Sequence, residues 1–267
     1  MTKYKLCKIM IEKILGIIAK GAFMAKYNCL LLDVDGTLLD FAETERAAFE
    51  KTLTNFEVSY SEKLLEKNRS INQSLWEKLE KGAIKKEALV VKRWEDLLKE
   101  AGAQGDPAAF NAYYLEQLTK CTTAYAGADE MLEELAEVAT IAFVTNGVDR
   151  IQRARLKASG LDQFADEIFV SERLGSVKPN RKFFDQALKK LGVSNRQKVL
   201  VVGDSLQADI KGGQNASLDT CWINFERKEN TTDIKPMYAI DSYEELKVIV
   251  YGEDGPPDVN QAHRNEH

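Results

Sequence analysis

Histidine is almost missing from this chain of 267 residues: the two it has, His263 and His267, both fall in the last five positions. A Ser-His-Asp triad, a phosphohistidine enzyme, a His-ligated zinc centre and a histidine general base all need an imidazole inside the fold. Catalysis here has to run on carboxylates, lysines or hydroxyls. Cysteine is also sparse. Cys7, Cys29, Cys121 and Cys221 are scattered with no C-x-x-C pair, which excludes a zinc ribbon or dithiol redox centre and leaves reduced, buried thiols as the expectation. There is no basic excess either. With 37 Lys+Arg against 42 Asp+Glu the net charge is −5, the wrong sign for a nucleic-acid footprint, so no nucleic-acid partner is expected. No apolar run approaches the ~20 residues of a membrane span, and no membrane partner is expected. With 44% hydrophobic and 30% charged residues, the chain reads as a soluble, cytoplasmic protein, a monomer or homodimer, large enough for one domain with an insertion.

The two ends differ from the body. Residues 1–23 hold five lysines and a single acid, Glu12, and their longest apolar run is Ile14 to Ala19. That is too short and too interrupted for a signal peptide. Met24 opens a segment that runs into the first apolar strand, so the expectation is that translation begins at Met24 and that residues 1–23 are dispensable. A short basic helix lying on a membrane surface is the competing reading. Residues 252–267 are polar, contain Pro256-Pro257 and lack an apolar period, the pattern of a disordered tail.

Between these ends, short apolar runs alternate with helical pattern: Cys29 to Leu32, Thr140 to Val144, Ile168 to Val170, Val199 to Val202 and Cys221 to Ile223. Such runs describe buried parallel strands of an α/β sheet. Between the first two runs there is no strand signal. Phe49, Leu53 and Phe56 fall at helical spacing, as do Leu89, Val90, Arg93, Trp94, Leu97 and Leu98. Gly82, Gly102 and Gly105-Asp106-Pro107 divide the region into helices. The expected organisation is an α/β core over residues 24–41 and 122–251, interrupted by an all-helical insert over residues 42–121.

Polar residues gather at the strand ends. The first strand closes with Asp33-Val34-Asp35-Gly36-Thr37; acids at i and i+2 project the same way, from the carboxyl edge where open α/β sheets bind ligands. Thr145-Asn146-Gly147 follows the second run, Gly203-Asp204-Ser205 the fourth, and Asp209 comes five residues after Asp204. Lys178-Pro179 opens the helix carrying Phe183 and Phe184, with Pro179 expected in its first turn. A lone D-x-D is common on protein surfaces. Four segments in this order are not.

As an ordered set these segments resemble the four motifs of the haloacid dehalogenase-like superfamily of phosphotransferases, over residues 28 to about 250. The resemblance implies a Rossmann-like parallel sheet, and the insert is similar to the small helical cap of one branch. Ile71-Asn72-Gln73-Ser74-Leu75-Trp76, Gly82-Ala83-Ile84 and Thr220-Cys221-Trp222-Ile223-Asn224 further resemble bacterial 5′-nucleotidases acting on pyrimidine nucleotides. The family pattern implies Asp33 as nucleophile, Asp35 as general acid and base, and Thr145 and Lys178 as stabilisers of phosphoryl charge. It implies Mg²⁺ held by the carboxylates of Asp33 and Asp204 and the backbone of Asp35. Asp209 either touches the metal shell or holds Lys178. Asn146, Asn72 and Trp76 are the expected substrate contacts, whereas Trp94 and Trp222 are expected in the core. The physics agrees: carboxylates ~4 Å apart repel by about 4 kcal/mol at an effective dielectric near 20, so they need a hard cation with oxygen ligands. A dehalogenase has no alkoxide to protonate, so Asp35 favours phosphate esters. The expected activity is Mg²⁺-dependent hydrolysis of a small phosphate ester through an aspartyl phosphate, with a pyrimidine nucleoside monophosphate as substrate. Sugar-phosphate phosphatases and mutases share the motifs, and Lys85, Lys86 and Lys92 keep a phosphonatase using a cap lysine in view. A silent binding module has no reason to retain Asp35 together with Lys178.

Overall fold

The computed structural model describes residues 25–252; the basic segment, the Met24 start and the polar tail beyond residue 252 lie outside the described residues. Six parallel strands form the sheet: β1 (Cys29–Leu32), β2 (Thr140–Thr145), β3 (Glu167–Val170), β4 (Val199–Gly203), β5 (Asp219–Ile223) and β6 (Tyr238–Ile240), in the order β3-β2-β1-β4-β5-β6. The central strands β1 and β4 carry only apolar residues and a closing Gly203 because both faces are covered. Alternate residues serve the two layers. Leu30, Leu32, Ile141, Phe143, Leu200 and Val202 pack with Met131, Leu132 and Leu246, while Leu31, Ala142, Val144, Val199 and Val201 pack with Phe183, Phe184 and Leu188. The chain winds from β1 to β2 and β3 on one side and then to β4, β5 and β6 on the other. The crevice at the end of β1 is therefore the topological switch point of the sheet.

Four helices form the insert: α1 (Phe41–Asn55), α2 (Glu62–Glu80), α3 (Lys86–Ala101) and α4 (Pro107–Lys120). Asp40, Ser61 and Asp106 accept hydrogen bonds from backbone N–H groups in the first turns of α1, α2 and α4, the side-chain capping that fixes helix starts. Phe49, Leu53, Trp94, Leu97, Phe110 and Tyr114 make the core of the insert, joined by Ile151. Ile151 belongs to α6 (Asp149–Ser159), which follows α5 (Ala128–Ala136); α7 (Arg181–Leu191), α8 (Lys211–Asn215) and α9 (Tyr243–Tyr251) complete the named helices. The insert thus docks on a helix of the sheet domain through an apolar contact. Trp94 is fully buried there, as expected.

Three expectations are corrected. β6 adds a sixth strand to the expected five: its apolar residues Tyr238 to Ile240 pair with β5, and three suffice for an edge strand. Pro179 precedes the helix rather than entering its first turn, because Asn180 takes the capping position, accepting a hydrogen bond from the Lys182 N–H at 2.9 Å. Cys121 is only half-buried, unlike Cys29 and Cys221, because it sits at the end of α4. Among the described residues, no helix is long and apolar enough to cross a membrane.

Candidate active site

Register alone brings the polar segments together. Leu32 of β1 lies opposite Phe143 of β2 and Val202 of β4, so Asp33 leaves the sheet between Thr145 and Asp204. Gly36 makes the turn with φ of +83°, and a Cβ there would overlap the Asp204 carboxylate, so this position needs both the backbone freedom and the small volume of glycine. The strand ends and cap helix α2 enclose a cavity of about 300 Å³, lined by Asp33, Asp35, Thr145, Asn146, Lys178, Asp204 and Asp209 from the sheet domain and by Asn72, Trp76 and Glu80 from α2. The expected catalytic, metal-ligating and substrate-contacting residues therefore meet at one cavity. A larger cleft of about 800 Å³ on the cap shares none of them.

Lys178 is the hub. Its ammonium donates to Asp33 Oδ1 at 2.5 Å, to Asp209 Oδ1 at 2.6 Å and to the Val144 carbonyl at 3.0 Å. Burial works against this charge, but Asp209 and Asp33 outweigh it and raise the Lys178 pKa. Asp209 uses its second oxygen to accept from the Ser205 N–H at 3.1 Å. Asn146 fixes the lysine from behind: its amide donates to the Lys178 carbonyl and accepts from the Lys178 N–H, both at 2.9 Å. Both polar atoms of the Asn146 side chain thus hold the Lys178 backbone, and its amide keeps a second N–H at the cavity.

Burial raises the Asp33 carboxyl well above its ordinary range, Lys178 pulls it down, and Asp209 and Asp204 push it up again. Burial and the nearby Asp209 push Asp204 up to about 7, although its residue keeps solvent-exposed surface. Asp33, Asp204 and Asp209 each offer an oxygen within 4.8 Å of the others. An all-oxygen set with mutual repulsion to relieve and a solvent-facing edge for water or phosphate fits Mg²⁺, which sits ~2.0–2.1 Å from its ligands. The Asp35 side chain points elsewhere, which leaves only its backbone for that role.

Two residues escaped sequence reasoning. Gln152 of α6 donates to Asp35 Oδ2 at 2.6 Å and to Thr145 Oγ1 at 2.8 Å, and Arg155 donates to Asp35 Oδ1 at 2.5 Å and to Gln152 Oε1 at 3.0 Å. Thr145 Oγ1 accepts from Gln152 and from the Gly147 N–H at 3.0 Å, so its own hydrogen is free to face a phosphate oxygen. A Cβ at Gly147 would lie 2.6 Å from the Gln152 side chain; glycine there admits the glutamine. The spacing of Gln152 and Arg155 at i and i+3 was the one signal available.

On the cap, Trp76 Nε1 donates to Asn72 Oδ1 at 3.1 Å, which sets the indole edge at the cavity while its ring also packs beside Leu75 and Leu79. Lys86 crosses to the sheet domain, donating to the Gly147 carbonyl at 2.8 Å and Ser171 Oγ at 2.9 Å beside Glu172. Neither it, Lys85 nor Lys92 lines the catalytic cavity. Trp222 is not core: its indole donates to the Asp204 carbonyl at 2.8 Å and lines a neighbouring cavity, because it stands at the open end of β5, level with Gly203.

The sequence pattern of haloacid dehalogenase-like hydrolases matches residues 30–223. YfnB of Bacillus subtilis, a HAD-hydrolase by name, is 37% identical over 85% of this chain and 97% of its own. Its magnesium-bound crystal structure, described as revealing interdomain movement, superposes with a TM-score of 0.80 over 84% of this chain and 99% of that one. The pyrimidine 5′-nucleotidase PynA of Streptococcus pneumoniae is 34% identical over 82% of this chain and 93% of its own. The pyrimidine 5′-nucleotidase YjjG of Escherichia coli is 30% identical over 84% and 98%. Shared pattern, shared fold and motif residues converging at the sheet's switch point lead to one assignment: the chain belongs to the haloacid dehalogenase-like hydrolases.

Proposed function

We propose that the protein is a Mg²⁺-dependent phosphatase acting on pyrimidine nucleoside 5′-monophosphates. The observation that carries the chemistry is the Lys178–Asp33 contact at 2.5 Å on the cavity floor, with Asp35 and Thr145 linked through Gln152 beside it. A buried carboxylate held by a lysine at an open strand end is suited to attack phosphorus. In this reading an Asp33 oxygen forms a bond to phosphorus as the ester P–O bond breaks, and Asp35 gives a proton to the departing oxygen. Asp35 then takes a proton from the water that cleaves the aspartyl phosphate. Thr145 and Lys178 stabilise charge on the equatorial oxygens. Mg²⁺, when bound by Asp33, Asp204 and the Asp35 backbone, supplies further neutralisation of that charge; Asp209 serves by holding Lys178.

The leaving-group assignment draws on the names of PynA and YjjG and on the Asn72–Trp76 pair at the cavity. A volume of about 300 Å³ is at the lower end for small-ligand sites, which suits a compact nucleoside. The test is phosphate release from nucleoside monophosphates and sugar phosphates with excess Mg²⁺. UMP and dTMP should exceed the purine nucleotides and sugar phosphates in kcat/KM, and trapped protein should carry phosphate on Asp33. Equal turnover of sugar phosphates would overturn the nucleotide assignment; turnover without phosphate on Asp33 would overturn the mechanism.

A further inference from the structure

Asn72, Trp76 and Glu80 follow one another at four-residue steps on α2 and all line the catalytic cavity. The first two are hydrogen-bonded to each other. Glu80 is half-buried and makes no ion pair or hydrogen bond among the described residues. Its position is poor for the helix: a carboxylate in the last turn faces the negative end of the backbone dipole. It is poor for the fold as well, because burial and then the charge of Asp209 push its pKa up to about 7. The charges of Lys178 and Lys81 offset these costs only in part, so the reason for an acid here lies in what enters the cavity.

The cation inventory gives that reason. Lys178 is the one cationic side chain lining the cavity, and its three N–H groups go to Asp33, Asp209 and the Val144 carbonyl. An ester bearing a second anionic group would bring it against Glu80 with no free cation to receive it. An uncharged leaving group rich in hydroxyl or N–H donors would find acceptors instead. We propose that Glu80 is a specificity residue: it rejects phosphate esters whose leaving group carries another phosphate or a carboxylate, and accepts a hydrogen bond from a neutral, donor-bearing leaving group such as a nucleoside. This deepens, and rests on, the phosphatase reading of the same site. It also selects between two cavities, because a neighbouring one of about 220 Å³ meets the first at Asp35, Phe41 and Asp204 and carries Lys228, paired with Glu226 at 3.1 Å.

The experiment compares kcat/KM at pH 8, with Mg²⁺ in excess, for two matched pairs: glycerol 1-phosphate against 3-phosphoglycerate, and uridine 5′-monophosphate against uridine 3′,5′-bisphosphate. The wild-type protein should favour the neutral leaving group at least tenfold in each pair. Glu80→Gln, which keeps the shape, should narrow both ratios at least fivefold by gaining on the anionic member. Glu80→Ala should gain there too but lose several-fold on uridine 5′-monophosphate, having no acceptor. Ratios unchanged in both variants, or no preference in the wild type, would overturn the role of Glu80 and place the leaving group beside Lys228. Failure of the wild type to release phosphate from any of the four esters, or from p-nitrophenyl phosphate, would bring down the phosphatase reading and this inference together.

Discussion

In the proposed mechanism Asp35 acts only if its carboxylate faces the bridging oxygen of the ester, and Gln152 and Arg155 hold it by both oxygens. We therefore predict that Gln152→Leu lowers kcat/KM for alkyl phosphates about tenfold or more, within the ~10²–10⁴ range of a whole acid–base group. The loss should be much smaller for p-nitrophenyl phosphate, whose phenolate departs with little protonation. An equal loss on both esters would assign Gln152 to general folding of the site. Asp33→Asn and Asp35→Asn should each lower turnover by more than a hundredfold with unchanged circular dichroism, since both sit at an open strand end. Retention of a tenth of the activity in either would remove it from the chemistry.

At the level of elements, the cap and the sheet domain are joined by apolar packing at Ile151 and by the buried Lys86 ammonium. That ammonium continues inward: Ser171 Oγ, which accepts from Lys86, donates to the Asn146 carbonyl at 3.3 Å, and Asn146 holds the backbone of Lys178. Lys86→Met leaves the Gly147 carbonyl and Ser171 without this donor, a loss of about 1–3 kcal/mol. The expected result is a Tm lower by several degrees, faster hydrogen exchange at the start of α3 and a raised KM. Unchanged exchange and KM would show that Lys86 does not set the position of the cap. These ties explain what the sequence could and could not disclose. Strands β1 to β5 and the helices of the insert were legible because apolar runs, Gly82, Gly102 and Gly105-Asp106-Pro107 announce them locally. The D-x-D, Thr145, Lys178 and Asp204 segments were legible because each closes a strand or opens a helix. Gln152 and Arg155 lie within a helix, and Lys86 and Glu80 at helix ends, places where a charged residue ordinarily faces solvent, and only the docking of one element on another turns them inward. Trp222 was misplaced for the converse reason: a tryptophan in a strand suggests core unless the end of the strand is known to be open.

Across the whole molecule, the site stores electrostatic repulsion. In the metal-free protein Asp33 is raised well above its ordinary range, and Asp204 and Glu80 are raised to about 7. The folded state therefore holds protons on these groups that the unfolded chain gives up near pH 4. The stability they allow is fully present below the unfolded values and is lost as pH rises through the folded ones, so between about pH 4 and 7 these groups make the metal-free fold less stable. In the proposed site Mg²⁺ would compete with those protons for Asp33 and Asp204, and its binding would stabilise the fold by ~2.7 kcal/mol at a hundred times its dissociation constant. Melting curves in EDTA and in excess Mg²⁺ should diverge from pH 5 to pH 8, reaching several degrees at the upper end. Asp204→Asn should melt higher than the wild type in EDTA at pH 8, respond little to Mg²⁺, and be inactive in both. A pH-independent effect of Mg²⁺, or an Asp204→Asn protein that melts lower than the wild type in EDTA, would mean that the carboxylates are not held together against their own charge.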